Sequence, residues 1–286
     1  MAGAASDLRF DLVVATVDRM EPLEALLASL DAQTHRAFRL VVVDQNADER
    51  VATLLAARPA LDVLHLRSER GLSRARNVAL PLLAGDLLAF PDDDCSYPSN
   101  LLERVASRFA GDPRLDGLTG RAAASDGSSD PSWERDPVVL TPTNLWNRVI
   151  SFTLFLRRGL VERVGTFDER LGLGSGSTWS SGEEVELVVR ALRAGARIEY
   201  DPTLVVTHPR KRYAREELRA VGLRDGASVG WILRRHGYGA RTTARMMLRP
   251  LGGIGSSLAH GDLTRASFHA ATLRGRVQGY LGALDD

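Results

Sequence analysis

Short apolar runs alternate with helical patterns over the first hundred residues of the chain. Continuous apolar runs at 12–14, 40–43, 63–66 and 87–90 predict four strands. The stretch between the first two runs starts near Pro22 and has leucines at the spacing of one helix face, at Leu23, Leu26, Leu27 and Leu30. Strands without polar alternation are typical of sheets covered on both faces. The pattern therefore predicts an α/β fold with a Rossmann-like, mostly parallel central sheet flanked by helices.

Polar residues follow these predicted strands. Thr16 and Asp18 follow the first strand, and Asp44 ends the second. In open parallel sheets, ligands bind outside the carboxyl ends of the strands, so we expect these side chains to share one rim. Asp18 and Asp44 are suited to binding the ribose or base of a nucleotide. A helix cap or a turn is the alternative role of each carboxylate.

Three consecutive carboxylates follow the fourth apolar run, at Asp92, Asp93 and Asp94. Their mutual repulsion requires a cation, a hydrogen-bonding frame or raised pKa values. Oxygen ligands favour Mg²⁺ or Mn²⁺ over softer metals. The triplet therefore predicts a divalent metal site able to bind phosphate, with a solvated acidic turn before a helix beginning near Pro98 as the alternative.

A cationic segment lies between the third and fourth predicted strands. Residues 70–77 contain Arg70, Gly71, Arg74 and Arg76 at the start of a helical pattern, where donors can be directed toward phosphate. Solvated helix arginines are the alternative. The chain has no Walker-type loop and no dinucleotide glycine fingerprint, so a metal and arginine would have to bind a diphosphate. This combination favours a sugar nucleotide as ligand.

A second acidic cluster follows a loop rich in glycine and serine at 171–182. The helical pattern after it ends near Gly195 and places Glu184 in the first helical turn. A carboxylate there could serve as a general base. Ser181 and Glu184 also have the spacing of a capping box, which is the structural alternative.

The strand-end Asp44, the 71–77 segment, the triplet at 92–94 and the sequence Gly-Glu-Glu-Val-Glu-Leu at 182–187 together resemble glycosyltransferase family 2, over roughly residues 8–210. The resemblance implies a GT-A fold, a nucleotide-sugar donor, usually a divalent metal, and in most members inversion of the anomeric centre. It implies that Asp92 and Asp93 lie near the donor sugar and diphosphate. Arg70 is a further candidate residue of the donor site. The nucleoside pocket that the resemblance implies is formed by Ala15, Thr16, Asp18, Asp44 and Arg76.

The same resemblance implies roles for the metal and acceptor residues. Asp94 would contact the metal, with Asp92 and His208 as further candidate ligands. Glu184 occupies the position where the family commonly has the Asp of a Glu-Asp pair, which implies that it is the catalytic base. Glu183 and Trp179 are also candidate acceptor-site residues, Trp179 because its position in the loop before the acidic cluster would let it stack on a sugar ring. The alternative for Trp179 is a loop anchor packed against the core.

The charge of the chain is unevenly distributed. The formal net charge is +1, but residues 208–286 contain fourteen Lys or Arg and six Asp or Glu. We predict a catalytic domain over 1–210, with a nucleotide-sugar half at about 1–100 and an acceptor half at about 101–210, and a basic helical extension over 211–286. The extension either contacts the inner leaflet of a membrane or packs on protein with solvated arginines. No nucleic-acid motif accompanies the charge, so we expect no nucleic-acid partner.

Sequence features also bear on the compartment. The single cysteine, Cys95, excludes an internal disulfide, and neither a secretory leader nor a spanning apolar segment is evident. These features predict a cytoplasmic protein, peripheral at the cytoplasmic face of the membrane if the basic extension binds lipid.

The family resemblance, together with the acidic and cationic residues above, implies an inverting, metal-dependent glycosyltransferase that uses Mn²⁺ or Mg²⁺. It would transfer a sugar from a nucleoside diphosphate, with UDP favoured and dTDP or GDP as alternatives, to a saccharide or lipid-linked saccharide. The alternatives are a sugar nucleotidyltransferase, for which the glycine-rich phosphate loop is missing, and a catalytically silent nucleotide-sugar-binding scaffold.

Overall fold

An eight-stranded sheet forms the centre of the first of two compact units in the computed structural model. The structure describes residues 7–130, 132–210 and 213–282. The first unit comprises Met1–Arg70, Arg74–Phe167 and Leu187–Arg210, and the second comprises Gly71–Ser73, Asp168–Glu186 and Lys211–Asp286. The domain boundaries at residues 100 and 210 stay a prediction.

The sheet has the strand order β3-β2-β1-β4-β7-β5-β8-β6. The pairs β1–β2, β2–β3, β1–β4 and β5–β8 are parallel, whereas β7 is antiparallel to both neighbours and β6 is antiparallel to β8. The prediction of an α/β fold with a mostly parallel sheet is therefore confirmed. The strands are β1 Phe10–Thr16, β2 Phe38–Asp44, β3 Val63–Arg67, β4 Leu87–Ala89, β5 Gly117–Ala123, β6 Val138–Val139, β7 Leu154–Arg157 and β8 Ile198–Thr207.

Strand register brings the polar strand ends together. Thr16, the last residue of β1, pairs with Asp44, the last residue of β2. Consecutive residues inside β1 are fully buried, including Leu12, Val13 and Val14. Burial of successive residues, which point to opposite faces, means that both faces of the strand are covered. This is why the strand reads as a continuous apolar run.

Helices cover this sheet. The four leucines predicted to form the buried face of α1 are all fully buried. Helix α4 begins at Leu101 rather than near Pro98, because the Leu101 N–H donates to the Pro98 carbonyl in a preceding turn. The helices are α1 Met20–Asp31, α2 Arg50–Ala56, α3 Leu72–Ala79, α4 Leu101–Gly111, α5 Arg158–Val164 and α6 Glu183–Arg193, with 3₁₀ turns at Leu80–Leu82, Leu145–Asn147 and Ser151–Thr153.

The second unit contains the predicted C-terminal helices, α7 Arg215–Arg235, α8 Ala240–Ala259 and α9 Leu263–Leu281. Helices α7 and α9 pack with their backbones in contact. A Cβ at Gly226 of α7 would lie 2.3 Å from the Thr272 carbonyl oxygen, and one at Gly279 of α9 would lie 1.9 Å from that of Ala227. Glycine is therefore required at both crossings. Within the described parts of the chain, no helix has both the length and the apolar character needed to cross a bilayer.

Candidate active site

Asp92, Asp94 and His208 lie together in the first unit. One ligand atom from each of these side chains falls within 4.8 Å of the other two. His208 Nε2 is 2.9 Å from Asp94 Oδ1. Backbone hydrogen bonds in both directions between Ser96 and Thr207 join the segment after the triplet to the end of β8. This bridge explains how residues more than a hundred positions apart meet.

The orientation of His208 suits metal binding. Its ring stacks on Phe152, with centroids 4.8 Å apart and planes 8° apart. Nδ1 lies 3.0 Å from the Pro209 carbonyl oxygen. With the proton on Nδ1 and donated to Pro209, the Nε2 lone pair would face Asp94, which is the arrangement that metal-bound histidines commonly have. Two carboxylates and an imidazole therefore fit a divalent cation such as Mn²⁺.

Arg19 contacts two members of the triplet. Its Nη1 lies 3.0 Å from Asp93 Oδ1 and 2.8 Å from Asp94 Oδ2. Burial lowers the pKa of Arg19, but the charges of Asp93 and Asp94 outweigh this effect and raise that pKa overall. Asp94 thus presents one oxygen to Arg19 and the other to His208.

Asp93 is the buried member of the triplet, with 5% of its surface exposed. Thr16 Oγ1 donates to its Oδ2 at 2.8 Å, and Arg19 contacts its other oxygen. Burial raises the pKa of Asp93 despite the Thr16 hydrogen bond and the Arg19 charge. Asp93 therefore connects the end of β1 to the triplet, and its predicted proximity to the donor stays a prediction.

Arg76 contacts Asp92 from the buried side. The guanidinium lies between the rings of Phe90 and Phe167, 5.8 and 5.4 Å from their centroids, and Nη2 is 3.3 Å from Asp92 Oδ1. Arg76 has 1% exposure, so it supports a candidate metal ligand from inside the fold. Its predicted contact with the nucleoside stays a prediction. Ser151 Oγ donates to the same oxygen of Asp92 at 3.1 Å.

The remaining predicted donor residues lie at the carboxyl ends of β1 and β2. Asp44 is fully buried and accepts hydrogen bonds at 2.8 Å from both the backbone N–H and the side-chain amide of Asn46. His65 Nε2 and Arg67 Nη1 lie 3.1 and 3.0 Å from its other oxygen. The charge of Asp44 is thereby balanced by neighbouring side chains. Ala15 is half-buried in β1, opposite Val43.

Asp18 and Arg70 form an exposed pair on the same rim. Arg70 Nη2 lies 2.7 Å from Asp18 Oδ2. The Asp18 N–H donates to Asn46 Oδ1 at 2.8 Å. Asp18 has a φ of 56°, an uncommon conformation for a residue other than glycine. Its carboxylate is therefore presented at a tight turn after β1.

The start of α6, in the second unit, carries the second cluster of acidic side chains. Glu183 and Glu186 are buried, whereas Glu184 between them is half-buried. His236 Nε2 lies 3.1 Å from Glu186 Oε1. Helix α6 begins at Glu183, so Gly182 rather than Ser181 immediately precedes it, and Ser181 Oγ lies 2.9 Å from Ser228 Oγ. The predicted helix start is present, and the catalytic role of Glu184 stays a prediction.

Trp179 belongs to the glycine- and serine-rich loop and packs against α7. Its ring stacks on Trp231, with centroids 6.2 Å apart and planes 23° apart. The Arg170 guanidinium lies over the Trp231 ring, 5.1 Å from its centroid. These contacts correspond to the loop-anchor alternative for Trp179. A contact of Trp179 or Glu183 with an acceptor stays a prediction.

The predicted residues divide between the two units. The donor residues, the triplet and His208 belong to the first unit, whereas Trp179, Glu183 and Glu184 belong to the second. Arg19, Ser151 and Phe152 were missed by sequence reasoning. Arg19 directly follows Asp18, so its position at a strand end was a usable signal. Ser151 and Phe152 have no motif, and only the fold brings them to Asp92 and His208.

The fold is that of the GT-A glycosyltransferases. A mannosyltransferase from Pyrobaculum calidifontis, solved with GDP-mannose and Mn²⁺, superposes with a TM-score of 0.66 at 17% identity, over 95% of this chain and 87% of that one. Staphylococcus aureus TarS 1–349, solved with UDP-GlcNAc, gives a TM-score of 0.58 at 16% identity, over 94% and 93% of the two chains.

Sequence comparison defines the family. The profile of "Glycosyl transferase family 2" matches residues 11–173. The chain belongs to glycosyltransferase family 2, which confirms the predicted membership.

Two relatives illustrate the family match. The chain is 27% identical over 253 residues to a pre-mycofactocin glycosyltransferase of Mycobacterium tuberculosis, covering 84% of this chain and 48% of the relative. It is 25% identical over 257 residues to the succinoglycan biosynthesis protein ExoM of Rhizobium meliloti, covering 86% and 78%. The chain thus spans about half of the length of the Mycobacterium relative.

Proposed function

We propose that this protein is an inverting, metal-dependent glycosyltransferase that moves a sugar from a nucleoside diphosphate to a hydroxyl of a saccharide or lipid-linked saccharide. The observation that carries the proposal is the convergence of Asp92, Asp94 and His208, with ligand atoms within 4.8 Å of one another. These residues would hold Mn²⁺ or Mg²⁺. Family membership supports the reaction class.

The donor proposal follows from the rim at the carboxyl ends of β1 and β2. Asp44, Asp18 and Arg70 lie on this rim, and we infer that they bind the nucleoside of the donor, with UDP favoured and dTDP or GDP as alternatives. The neighbours with bound UDP-GlcNAc and GDP-mannose support a nucleotide sugar as the ligand class. These two neighbours bind nucleotides with different nucleobases, so they do not identify the nucleobase of the donor.

The departing diphosphate needs positive charge. A bound divalent metal would stabilise the negative charge that develops on the leaving group. Among the chain's own residues, Arg76 and Ser151 hold Asp92, while Arg19 holds Asp93 and Asp94. These contacts orient the candidate ligands before the substrate binds, which is the preorganisation that such catalysis requires.

Glu184 is the proposed base that deprotonates the acceptor hydroxyl. It lies in the first turn of α6, where the helix dipole favours a carboxylate. Its neighbours Glu183 and Glu186 are buried, and Glu184 is half-buried, which supports Glu184 as the member of the cluster with access to an acceptor. Polysaccharide or glycolipid assembly at the cytoplasmic face of a membrane is the setting that we propose.

Calorimetry tests the donor site directly. UDP, GDP, dTDP and CMP are titrated with and without Mn²⁺ into the wild type, Asp94→Ala and, as a control, Asp86→Ala, whose carboxylate accepts from the Arg9 N–H on another part of the unit. We expect one nucleoside diphosphate to bind with metal dependence, and that dependence to be lost only in Asp94→Ala. Absence of binding by every nucleotide to the folded wild type would overturn the donor-site assignment.

A silent nucleotide-sugar-binding scaffold is the second candidate, because Glu184 replaces the usual aspartate of the family motif. Donor hydrolysis in the wild type and Glu184→Gln distinguishes the two. We expect slow release of nucleoside diphosphate by the wild type and its loss in Glu184→Gln, with nucleotide binding retained. Binding without transfer or hydrolysis in the wild type would favour the scaffold.

A further inference from the structure

Helix α8, in the second unit, exposes an apolar face. Leu248, Leu251 and Leu258 are 57%, 48% and 53% exposed. At 3.6 residues per turn they fall within an arc of about 80° around the helix axis. Large apolar side chains aligned in this way on a surface mark an interaction site more often than isolated ones do.

The opposite face of α8 is used for packing. Met246, Pro250 and Ser257 are buried on that side. A Cβ at Gly253 would meet the ring of His269 in α9 at 2.6 Å. The helix is therefore held against α9 by one face, and its leucines point the other way.

Arginines lie beside the leucines. Arg241, Arg245 and Arg249 are exposed and recur every four residues along one flank of the leucine face. Residues 240–281 contain six arginines and a single acidic residue, Asp262. The Asp262 side chain accepts from the Arg265 N–H at the start of α9, so it acts as a helix cap. The surface thus combines apolar and cationic groups.

We propose that this face of α8 docks on the surface of a bilayer containing anionic phospholipid. Leucines would enter the boundary between headgroups and acyl chains, while the arginines bind lipid phosphate, for which the guanidinium is well suited. A second copy of the same face would bring arginine against arginine, with no acidic residue on α8 to pair with them. The inference rests on the membrane setting proposed above and deepens it by naming the contact surface and the lipid chemistry; it involves none of the proposed catalytic residues.

A further exposed leucine, Leu263, lies just after the turn between α8 and α9. It is 61% exposed and is the first residue of α9. Among the residues that the structure describes, eleven large hydrophobic side chains are exposed, and six of them lie on α8 and α9. The exposed apolar side chains are therefore concentrated in this basic part of the chain.

Vesicle co-sedimentation tests the proposal. The full chain is mixed with vesicles of phosphatidylcholine alone, or of phosphatidylcholine with phosphatidylglycerol, at low and high salt. We expect binding to the anionic vesicles that weakens with salt. Leu251→Gln/Leu258→Gln should lower the partition coefficient by about tenfold or more, because two apolar side chains leave the interface. Arg241→Gln/Arg245→Gln should remove the preference for phosphatidylglycerol.

Matched controls keep the result interpretable. Leu82→Gln alters a leucine of similar exposure, 48%, in the first unit, and Arg114→Gln removes an arginine whose side chain is 84% exposed. Both should bind vesicles like the wild type. Thermal melting and nucleotide calorimetry on every variant separate loss of the surface from loss of the fold or the donor site.

Three outcomes would overturn the proposal. The first is a wild type that stays in solution with anionic vesicles. The second is vesicle binding that the leucine variant leaves unchanged, which would place the contact elsewhere. The third is a dimer in light scattering that the leucine variant converts to a monomer, which would assign the face to a second copy.

Discussion

The acidic rim of the first unit, formed by Asp44, Asp92, Asp93 and Asp94, and the outer face of α8 in the second unit differ in how their side chains are partnered. On the rim, the carboxylates of Asp44, Asp92 and Asp93 each contact cationic or hydroxyl groups supplied by other parts of the chain. On α8, leucines and arginines from one continuous segment face outward. The rim carboxylates are therefore held in place by neighbouring side chains, whereas the side chains on the outer face of α8 are exposed.

The largest effect is expected at Arg76, the buried cation that contacts Asp92. Arg76→Met retains bulk between the two rings but leaves Asp92 without its buried cation. We expect the free energy of unfolding to fall by about 3 kcal/mol, at the low end for a broken buried pair because Asp92 is partly exposed. Urea denaturation measures it. Arg74→Met, on the exposed side of the same helix, should change it by less than about 0.5 kcal/mol.

The next largest effect is expected for His208, the candidate metal ligand that directly follows β8. His208→Ala should weaken Mn²⁺ binding by about 100-fold, since the loss of even an outer-shell partner of a metal ligand costs about 10- to 100-fold. Calorimetry with Mn²⁺ alone provides the measurement. His260→Ala, an exposed position on the second unit, is the control. Unchanged Mn²⁺ affinity in His208→Ala would remove this histidine from the site.

Arg19 is predicted to act as the resident counter-charge of the triplet. Arg19→Gln leaves Asp93 and Asp94 without this cation, so the metal-free protein should lose about 2 kcal/mol of stability. Mn²⁺ should then raise the melting temperature of this variant more than that of the wild type. Arg70→Gln removes the same charge from the exposed rim pair and should show neither effect; if it behaves like Arg19→Gln, the effect is one of net charge alone.

The raised pKa of Asp93 predicts a smaller effect, which is a change in the free energy of unfolding with pH. Because burial raises its pKa in the folded state, the folded protein holds this proton more tightly than the unfolded chain. Stability from this group is thus present below the ordinary pKa of 3.8 and is lost as pH rises through the raised value. Each tenfold difference in proton affinity between the folded and unfolded states corresponds to about 1.4 kcal/mol. In metal-free protein, Asp93→Asn should abolish this pH dependence of the unfolding free energy, as measured by urea denaturation across pH; an unchanged dependence would assign it to other groups.

The α8 face should give the smallest change in stability. Leu251→Gln alters an exposed side chain, so the free energy of unfolding should move by less than about 0.5 kcal/mol. Thermal and urea melts test this. A large loss would show that Leu251 is a packing residue and would weaken the contrast with the rim.

Much of the fold and part of the site were predictable from local pattern. The strands β1 to β4, the buried leucines of α1 and the position of Glu184 in the first turn of α6 followed from apolar runs and spacing. The strand-end rule placed Asp18, Asp44 and the triplet on one side of the sheet. The start of α4 was misplaced by three residues, because a turn hydrogen bond at Pro98 is not visible as a pattern.

Other features needed the folded chain. Arg76 resembles a surface helix residue in the sequence, yet it is enclosed by Phe90 and Phe167. The sequence left two roles open for Trp179, a sugar-stacking residue and a loop anchor, and only the structure shows that it packs on Trp231. Burial depends on partners that are distant in the chain, so a local window cannot determine it.

The α/β class, the family and the clustering of acidic residues at strand and helix ends could be predicted from the sequence, because they depend on periodicity and short motifs. The contacts of Arg19 and His208 with different oxygens of Asp94, and the outward orientation of the leucines of α8, could be recognised only in the folded chain. Both observations have one cause. Chain crossings and helix packing determine which side chains meet and which remain exposed, and both are products of long-range contacts.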